Sequence, residues 1–163
     1  MKGVQLRPVS LTDPLVQPLI NGLTQEYERR YGVNDEMAAY EPASFDPPGG
    51  YFVVLERGGR TAAGGGFRRL DQRTAEIKRM WTDPDQRRRG HGRRVLASLE
   101  DEASRQGFAR LRLETGTAQP EAIALYASAG YVQIPGYGRY QDSPDSLSFE
   151  KALPQGPAGP ARR

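Results

Sequence analysis

The chain has 163 residues, of which 37% are hydrophobic and 26% charged, a composition typical of one globular domain with a single core. It contains no cysteine and one histidine, which excludes disulfides, a cysteine nucleophile and metal sites built from thiolates or several imidazoles, so we expect no metal. The 23 basic and 20 acidic residues leave a net charge of +3, with a local basic excess at Arg87–Arg94 and Arg162-Arg163. Such a focused patch favours a small polyanion over a long nucleic-acid track.

No apolar run approaches the roughly 20 residues that cross a bilayer, and the N-terminus has no apolar signal core. We therefore expect a cytoplasmic protein without a membrane partner. Residues 1–153 are predicted to form one domain, and residues 154–163, rich in Pro and Gly, a flexible tail.

The first half of the chain predicts a strand, a helix and a hairpin. Val4–Val9 alternates as a strand, at a sheet edge because of Pro8. A helix starting near Thr12-Asp13-Pro14 carries apolar residues four apart, namely Leu15, Leu19, Leu23, Tyr27 and Tyr31, with Pro18 and Gly22 predicting a bend or break.

After a loop over residues 32–50, strands Tyr51–Glu56 and Thr61–Leu70 flank a turn. Three consecutive glycines, Gly64–Gly66, predict a bulge or close packing in the second strand.

The second half predicts alternating strands and helices. Strands are expected at Thr74–Thr82, Ala109–Thr115, Tyr131–Ile134 and Ser146–Lys151. One helix ends at Gln106-Gly107, and a shorter helix covers Glu121–Ala129. Because a strand has period two, Glu76, Lys78 and Met80 are expected to share one face, with Arg79 pointing the other way.

The central feature is the loop Gln86–Arg94, which joins a strand end to a helix start. The first N–H groups of a helix have no intrahelical partner, and the macrodipole makes that end positive. Gly90 and Gly92 let backbone approach a ligand closely, and five arginines add charge. The loop therefore predicts an anion site suited to phosphates.

The pattern Arg87-x-x-Gly90-x-Gly92 lacks the Lys-Ser/Thr pair of a Walker loop and the third glycine of a dinucleotide fingerprint. It resembles the acyl-CoA pyrophosphate loop of the GCN5-related N-acetyltransferase (GNAT) superfamily. The order of elements around it, including Leu125-Tyr126 before Gly130-Tyr131, is similar to that superfamily as well. The resemblance implies a single α/β domain whose mixed, mostly antiparallel sheet of six or seven strands is flanked by about four helices.

The resemblance also implies where acetyl-CoA would bind. Backbone groups of the loop would hold the diphosphate, with support from the residues Arg87, Arg88, Arg89, Gly90, His91, Gly92 and Arg93. We expect His91, at the variable position of the motif, to be a partly exposed helix-start residue. The backbone of Met80, Trp81 and Thr82 would pair with the pantetheine arm in the gap between their strand and the strand at Ala109–Thr115. A backbone N–H there would stabilise the negative charge that develops on the thioester oxygen. Gln119 stands where many members have a coenzyme A-binding asparagine.

N-acetylation needs a base for the amine and an acid for the departing thiolate. The resemblance favours Glu76 as base, with Glu114 on the adjacent strand as the alternative. Tyr126 is expected to protonate the thiolate of coenzyme A after direct attack by the amine in a ternary complex.

The acceptor is less well specified. Tyr27, Tyr31 and Tyr140 are candidates for its pocket, and the acceptor is expected to be a small amine or a peptide. Two other functions stay open: a non-catalytic acyl-CoA sensor, and nucleic-acid binding through Arg87–Arg94, against which the lack of interleaved aromatic residues argues. A homodimer is common among the proteins that the chain resembles.

Overall fold

The computed structural model describes residues 3–32, 36–117 and 119–155, so most of the predicted tail lies outside the described residues. Seven strands form one sheet in the order β1-β2-β3-β4-β5-β7-β6. The strands are β1 (Val4–Pro8), β2 (Tyr51–Arg57), β3 (Arg60–Arg69), β4 (Thr74–Thr82), β5 (Arg110–Gly116), β6 (Val132–Ile134) and β7 (Ser146–Ala152). The helices are α1 (Gln17–Tyr31), α2 (His91–Arg105) and α3 (Pro120–Ser128). The predicted fold class is confirmed, with three α-helices among the described residues.

The central strands β2, β3 and β4 are buried on both faces of the sheet. Residues from α2 and α3 pack on one face, with Val95, Leu96 and Leu99 at the centre of the larger core. Helix α1 covers the other face through Leu19 and Leu23. Strands between two layers lose the simple apolar–polar alternation, which explains the continuous apolar run in β2.

Within the described ranges, no helix combines the length and apolar character needed to span a bilayer.

Helix α1 continues through Gly22, so a break there is wrong. Near Pro18 the helical stretch does change, from a 3₁₀ turn over Pro14–Val16 to α1. Pro18 lies in the first helical turn, where its missing N–H breaks no helical hydrogen bond. Gly22 instead lets the helix approach the sheet, because a Cβ there would lie 2.3 Å from the indole Nε1 of Trp81. Gly22 therefore marks a close contact between α1 and the sheet.

The glycine run in β3 shows the predicted close packing, but the bulge beside it lies in β4 and not in the glycine strand. Gly64 pairs with Trp81 and Gly66 with Lys78, so Gly65 alone lies opposite both Arg79 and Met80. Arg79 has a φ of 64°, and a Cβ on Gly65 would lie 2.4 Å from the Met80 Sδ.

The bulge changes which side chains share a face. Lys78 reaches the α1 side, where its Nζ lies 5.0 Å from the centroid of the Tyr40 ring. Arg79 points to the same side and donates from Nη2 to the Met37 carbonyl at 3.0 Å. Met80 packs on the opposite core. The expectation that Met80 shares a face with Glu76 and Lys78, and that Arg79 opposes them, is therefore wrong.

Strands β4 and β5 form the parallel pair of the sheet and separate part-way along their length. Their pairing joins Thr74–Glu76 to Arg110–Arg112 and ends there. Beyond this point β4 continues to Thr82 and β5 to Gly116, so the two strand ends flank an opening.

The close packing of the glycine run gives a stability prediction. A Cβ on Gly66 would lie 2.4 Å from Phe52 Cδ2 and 2.6 Å from the Tyr51 carbonyl oxygen. Because the carbonyl belongs to a paired strand and cannot move aside, Gly66→Ala should lower the free energy of unfolding by about 2 kcal/mol or more. Urea unfolding measures this, with Gly3→Ala as control, since a Cβ on Gly3 would meet no atom of the described residues within 4 Å. Equal stability of the two variants would contradict the packing described.

Candidate active site

A cleft of about 530 Å³ opens between the diverging ends of β4 and β5 and extends to the start of α2. Most of the residues predicted to bind cofactor line it: Met80, Trp81, Thr82, Arg87, Arg88, Gly90, His91, Gly92, Arg93 and Gln119. Arg89 is exposed and lies outside this lining. The cleft also contains Glu114 and Tyr126, so it brings binding and catalytic candidates together.

The start of α2 presents free backbone donors to the cleft. The first helical hydrogen bond runs from the Arg94 N–H to the Gly90 carbonyl at 3.1 Å. The N–H groups from Gly90 to Arg93 therefore have no acceptor within the helix, and the helix dipole adds positive potential at the same place. This end of α2 suits an anion.

The two glycines of the motif serve different purposes. Gly90 precedes the helix with a φ of 78°, a conformation that side chains disfavour. Gly92 has a neighbour instead, because a Cβ there would lie 3.2 Å from Leu125 Cδ2 on α3. One glycine shapes the loop and the other allows α2 and α3 to approach each other.

Two of the arginines are already engaged within the protein. Arg87 Nη2 lies 3.1 Å from Glu26 Oε1 on α1, and its side chain is 42% exposed. Arg93 donates to the Ser128 hydroxyl at 2.5 Å. Glu26 lines the cleft and is absent from the sequence-based site, since no local pattern links α1 to a loop 61 residues later. An exposed ion pair of this kind contributes only about 0–1 kcal/mol, so a phosphate can compete for Arg87.

His91 is buried, with 5% of its surface exposed, so the expectation of a partly exposed residue is wrong. Neither ring nitrogen has a hydrogen-bond partner among the described residues. Burial, followed by the charges of Arg57, Arg89 and Arg94, lowers the pKa of the imidazole. The ring is therefore neutral at pH 7 and adds no charge to the anion site.

The two candidate bases occupy different surroundings. Glu76 is buried, and its Oε1 and Oε2 accept hydrogen bonds from Arg68 Nη1 at 2.7 Å and from the Tyr137 hydroxyl at 2.8 Å. Lys78 lies between the carboxylates, with Nζ 3.9 Å from Glu76 Oε2 and 3.9 Å from Glu114 Oε1. Glu114 lines the cleft, whereas Glu76 does not.

A second cavity of about 290 Å³ adjoins the cleft. It brings together the three tyrosines predicted for the acceptor, Tyr27, Tyr31 and Tyr140. Both cavities share the lining residues Tyr27, Lys78, Glu114, Thr115 and Gln119. We call this second cavity the tyrosine pocket. Its remaining wall includes Ser143, Asp145 and Ser146, which the sequence analysis missed because they lie in and just after an irregular loop.

Gln119 links the two cavities. Its Nε2 donates to the Tyr31 hydroxyl at 3.2 Å, and it precedes α3 without capping that helix through its side chain. Tyr31 lies directly over Gly116, where a Cβ would be 1.6 Å from the phenol oxygen. The position of Tyr31 thus depends on the glycine at the end of β5.

Tyr126 lies on α3, and only 5% of its surface is exposed. Its ring packs edge-on against Tyr131 with a centroid separation of 5.8 Å. Burial raises the pKa of Tyr126 well above its ordinary value, so the phenol keeps its proton at neutral pH. It lines the cleft as a proton-bearing hydroxyl.

The sequence model of the Acetyltransferase (GNAT) family matches residues 18–131, a range that includes all residues lining the cleft. The chain belongs to the GNAT family. This confirms the predicted superfamily, and the seven-stranded sheet agrees with its fold.

Relatives of known description include an IAA acetyltransferase of Azospirillum brasilense, 40% identical over 104 residues that cover 63% of this chain and 67% of the relative. The bS18-alanine N-acetyltransferase of Escherichia coli is 47% identical over 49 residues, covering 30% of this chain and 33% of that enzyme. The matched segments thus span between a third and two thirds of these relatives.

Two solved structures show the same fold. A Klebsiella pneumoniae structure assigned as an acyl-CoA N-acyltransferase is 28% identical, with a TM-score of 0.78, and covers 92% of this chain and 97% of its own. The PaiA N-acetyltransferase of Thermoplasma acidophilum, solved with coenzyme A, has a TM-score of 0.71 at 14% identity. The match covers 93% of this chain and 99% of the PaiA chain.

Because the chain has a single histidine, the burial of His91 can be tested directly. An NMR titration of the His91 ring should give a pKa below the ordinary value of about 6.5. Because the unfolded chain then binds a proton more readily than the folded one, stability should fall as pH drops through about 6.5. His91→Gln should flatten this part of the stability–pH curve. An imidazole pKa at or above the ordinary value would contradict the burial of His91.

Proposed function

We propose that the protein transfers the acetyl group of acetyl-CoA to a primary amine by direct attack in a ternary complex. One observation carries the proposal. The cleft with free N–H donors at the start of α2 continues, at Glu114, into the tyrosine pocket. A diphosphate carrier and an acceptor bound in these two cavities would meet beside a carboxylate.

Acetyl-CoA is expected to contact both the loop and β4. The N–H groups of Gly90–Arg93 bind its diphosphate, reinforced by arginine side chains of the loop. The pantetheine arm lies along Met80–Thr82, beyond the described pairing of β4 with β5, which ends at Glu76. A backbone N–H of this segment stabilises the oxyanion of the tetrahedral intermediate.

Glu114 takes the amine proton in this proposal, directly or through water. It lines both cavities, whereas Glu76, the other candidate base, accepts hydrogen bonds from Arg68 and Tyr137. The neutral amine forms the new C–N bond, and collapse of the intermediate breaks the C–S bond. Tyr126 donates its proton, or a hydrogen bond, to the departing thiolate.

Two measurements test the proposal. Calorimetry with coenzyme A should show binding, and a thiol-release assay with acetyl-CoA should identify substrates within a diverse panel of amines. Binding without turnover on any amine would favour the acyl-CoA sensor. Salt-sensitive binding of DNA, with no binding of coenzyme A, would favour the nucleic-acid alternative.

Replacement of Tyr126 tests the general acid. Tyr126→Phe should lower kcat about 100-fold, because the thiolate then leaves without a proton donor, while the Kd for coenzyme A changes little. Steady-state kinetics and calorimetry measure the two effects. Tyr51→Phe, the same chemical change on β2, is the control. Equal turnover of Tyr126→Phe and the unmodified protein would refute the assignment.

Separate replacement of the two carboxylates identifies the base. Glu114→Gln should lower kcat about 100-fold and remove the acidic limb of the kcat–pH profile, which reports groups in the ternary complex. Glu76→Gln should retain that limb. The reverse pattern would assign the base to Glu76.

A further inference from the structure

We propose that Glu76 and Tyr137 are a positioning pair that fastens a loop over the acceptor, and that they set the affinity for the amine without moving its proton. The loop consists of residues 135–145, between β6 and β7, and is called the acceptor loop below. This inference rests on the proposed acetyl transfer, because it takes the tyrosine pocket as the acceptor site.

Glu76 has the properties of an anchor. It is 3% exposed, and each of its carboxylate oxygens accepts a short hydrogen bond, one from Arg68 and one from Tyr137. Hydrogen bonds to an ionised carboxylate are about twice as strong as neutral ones. Glu76 lies on a central strand of the sheet, so its carboxylate is a fixed acceptor for a group on a loop.

Tyr137 is held on more than one side. Arg112 lies over its ring with 5.6 Å between the guanidinium carbon and the centroid, and Arg112 also donates to Glu150 at 2.6 Å. Burial, and then the charge of Glu76, raises the pKa of the phenol. Tyr137 therefore keeps its proton and remains a donor to Glu76. The start of the acceptor loop is tied in this way to β4, β5 and β7.

The rest of the acceptor loop forms a wall of the tyrosine pocket. Tyr140, Ser143 and Asp145 line that pocket, and the Thr117 N–H donates to the Asp145 carbonyl at 2.9 Å. Gly138 has a φ of 69°, and a Cβ on it would lie 3.5 Å from Glu114 Oε1. The loop backbone thus lies against the proposed base, and a shift of the loop would displace the acceptor wall.

Loss of the Tyr137 hydroxyl should loosen this wall while leaving the anion site intact. With Tyr137→Phe we expect about a tenfold rise in KM for the amine, the size that corresponds to one lost hydrogen bond to a charged group. The kcat and the Kd for coenzyme A should change little. Hydrogen exchange of residues 138–145, measured without any substrate, should become faster.

Tyr51→Phe is the matched control, since Tyr51 lies on β2 and packs on Phe67 with 5.9 Å between ring centroids. It should leave both the exchange of the acceptor loop and the amine KM unchanged. Glu76→Gln should also raise the amine KM and speed the exchange of the acceptor loop. The effects of Glu76→Gln and Tyr137→Phe should be less than additive in the double variant, because both changes weaken the same hydrogen bond.

Three outcomes would overturn the positioning pair: unchanged loop exchange in Tyr137→Phe, an unchanged amine KM in that variant, or loss of the acidic kcat limb in Glu76→Gln. The exchange measurement also separates this inference from the proposed function. If the protein acetylates no amine, the function fails, and faster exchange confined to the acceptor loop still supports the anchor.

Discussion

The β4 bulge lies next to the point where β4 and β5 separate. One residue of β3, Gly65, faces two residues of β4, Arg79 and Met80, and a bulge of this kind bends its strand and increases the local twist. The pairing of β4 with β5 ends at Glu76, shortly before the bulge. Unpaired backbone in the middle of a sheet is costly unless another group satisfies it. A cleft that accepts an extended ligand, held like an added strand, is the arrangement in which this backbone gains a partner.

The bulge is stabilised by packing and does not depend on a glycine at its strained position. Arg79 adopts a φ of 64°, a conformation that costs a non-glycine residue about 1 kcal/mol. Its guanidinium donates to the Met37 carbonyl and lies 5.8 Å from the centroid of the Phe45 ring. The glycines lie instead on β3, where the absence of a side chain at Gly65 leaves room for the side chain of Met80. The conformational cost at one strand is thus offset by contacts with segments distant in sequence.

The strain lies at Arg79 on β4 and the space for it is provided by glycines on β3, and this separation explains which features the sequence could predict. The strand–loop–helix order and the glycines at residues 90 and 92 are local signals, and the structure has a cleft beside them. The bulge placed an arginine, and not a glycine, at the positive φ, so the alternation expected for Glu76, Lys78 and Met80 failed at Met80. Gly22 was interpreted from helix propensity, whereas its cause is the indole of Trp81, contributed by a strand far along the chain.

The charges around Lys78 explain how two carboxylates on adjacent strands come to differ. Arg68 and Tyr137 donate to Glu76, which ties this carboxylate into the fold, and Lys78 lies 3.9 Å from each acid. Glu114 instead lies where the two cavities meet. A buried cation between the two acids offsets part of the cost of burying their negative charges. Under the proposed acetyl transfer, the ammonium of Lys78 disfavours a second cation beside Glu114, so this position favours the neutral amine that attack requires.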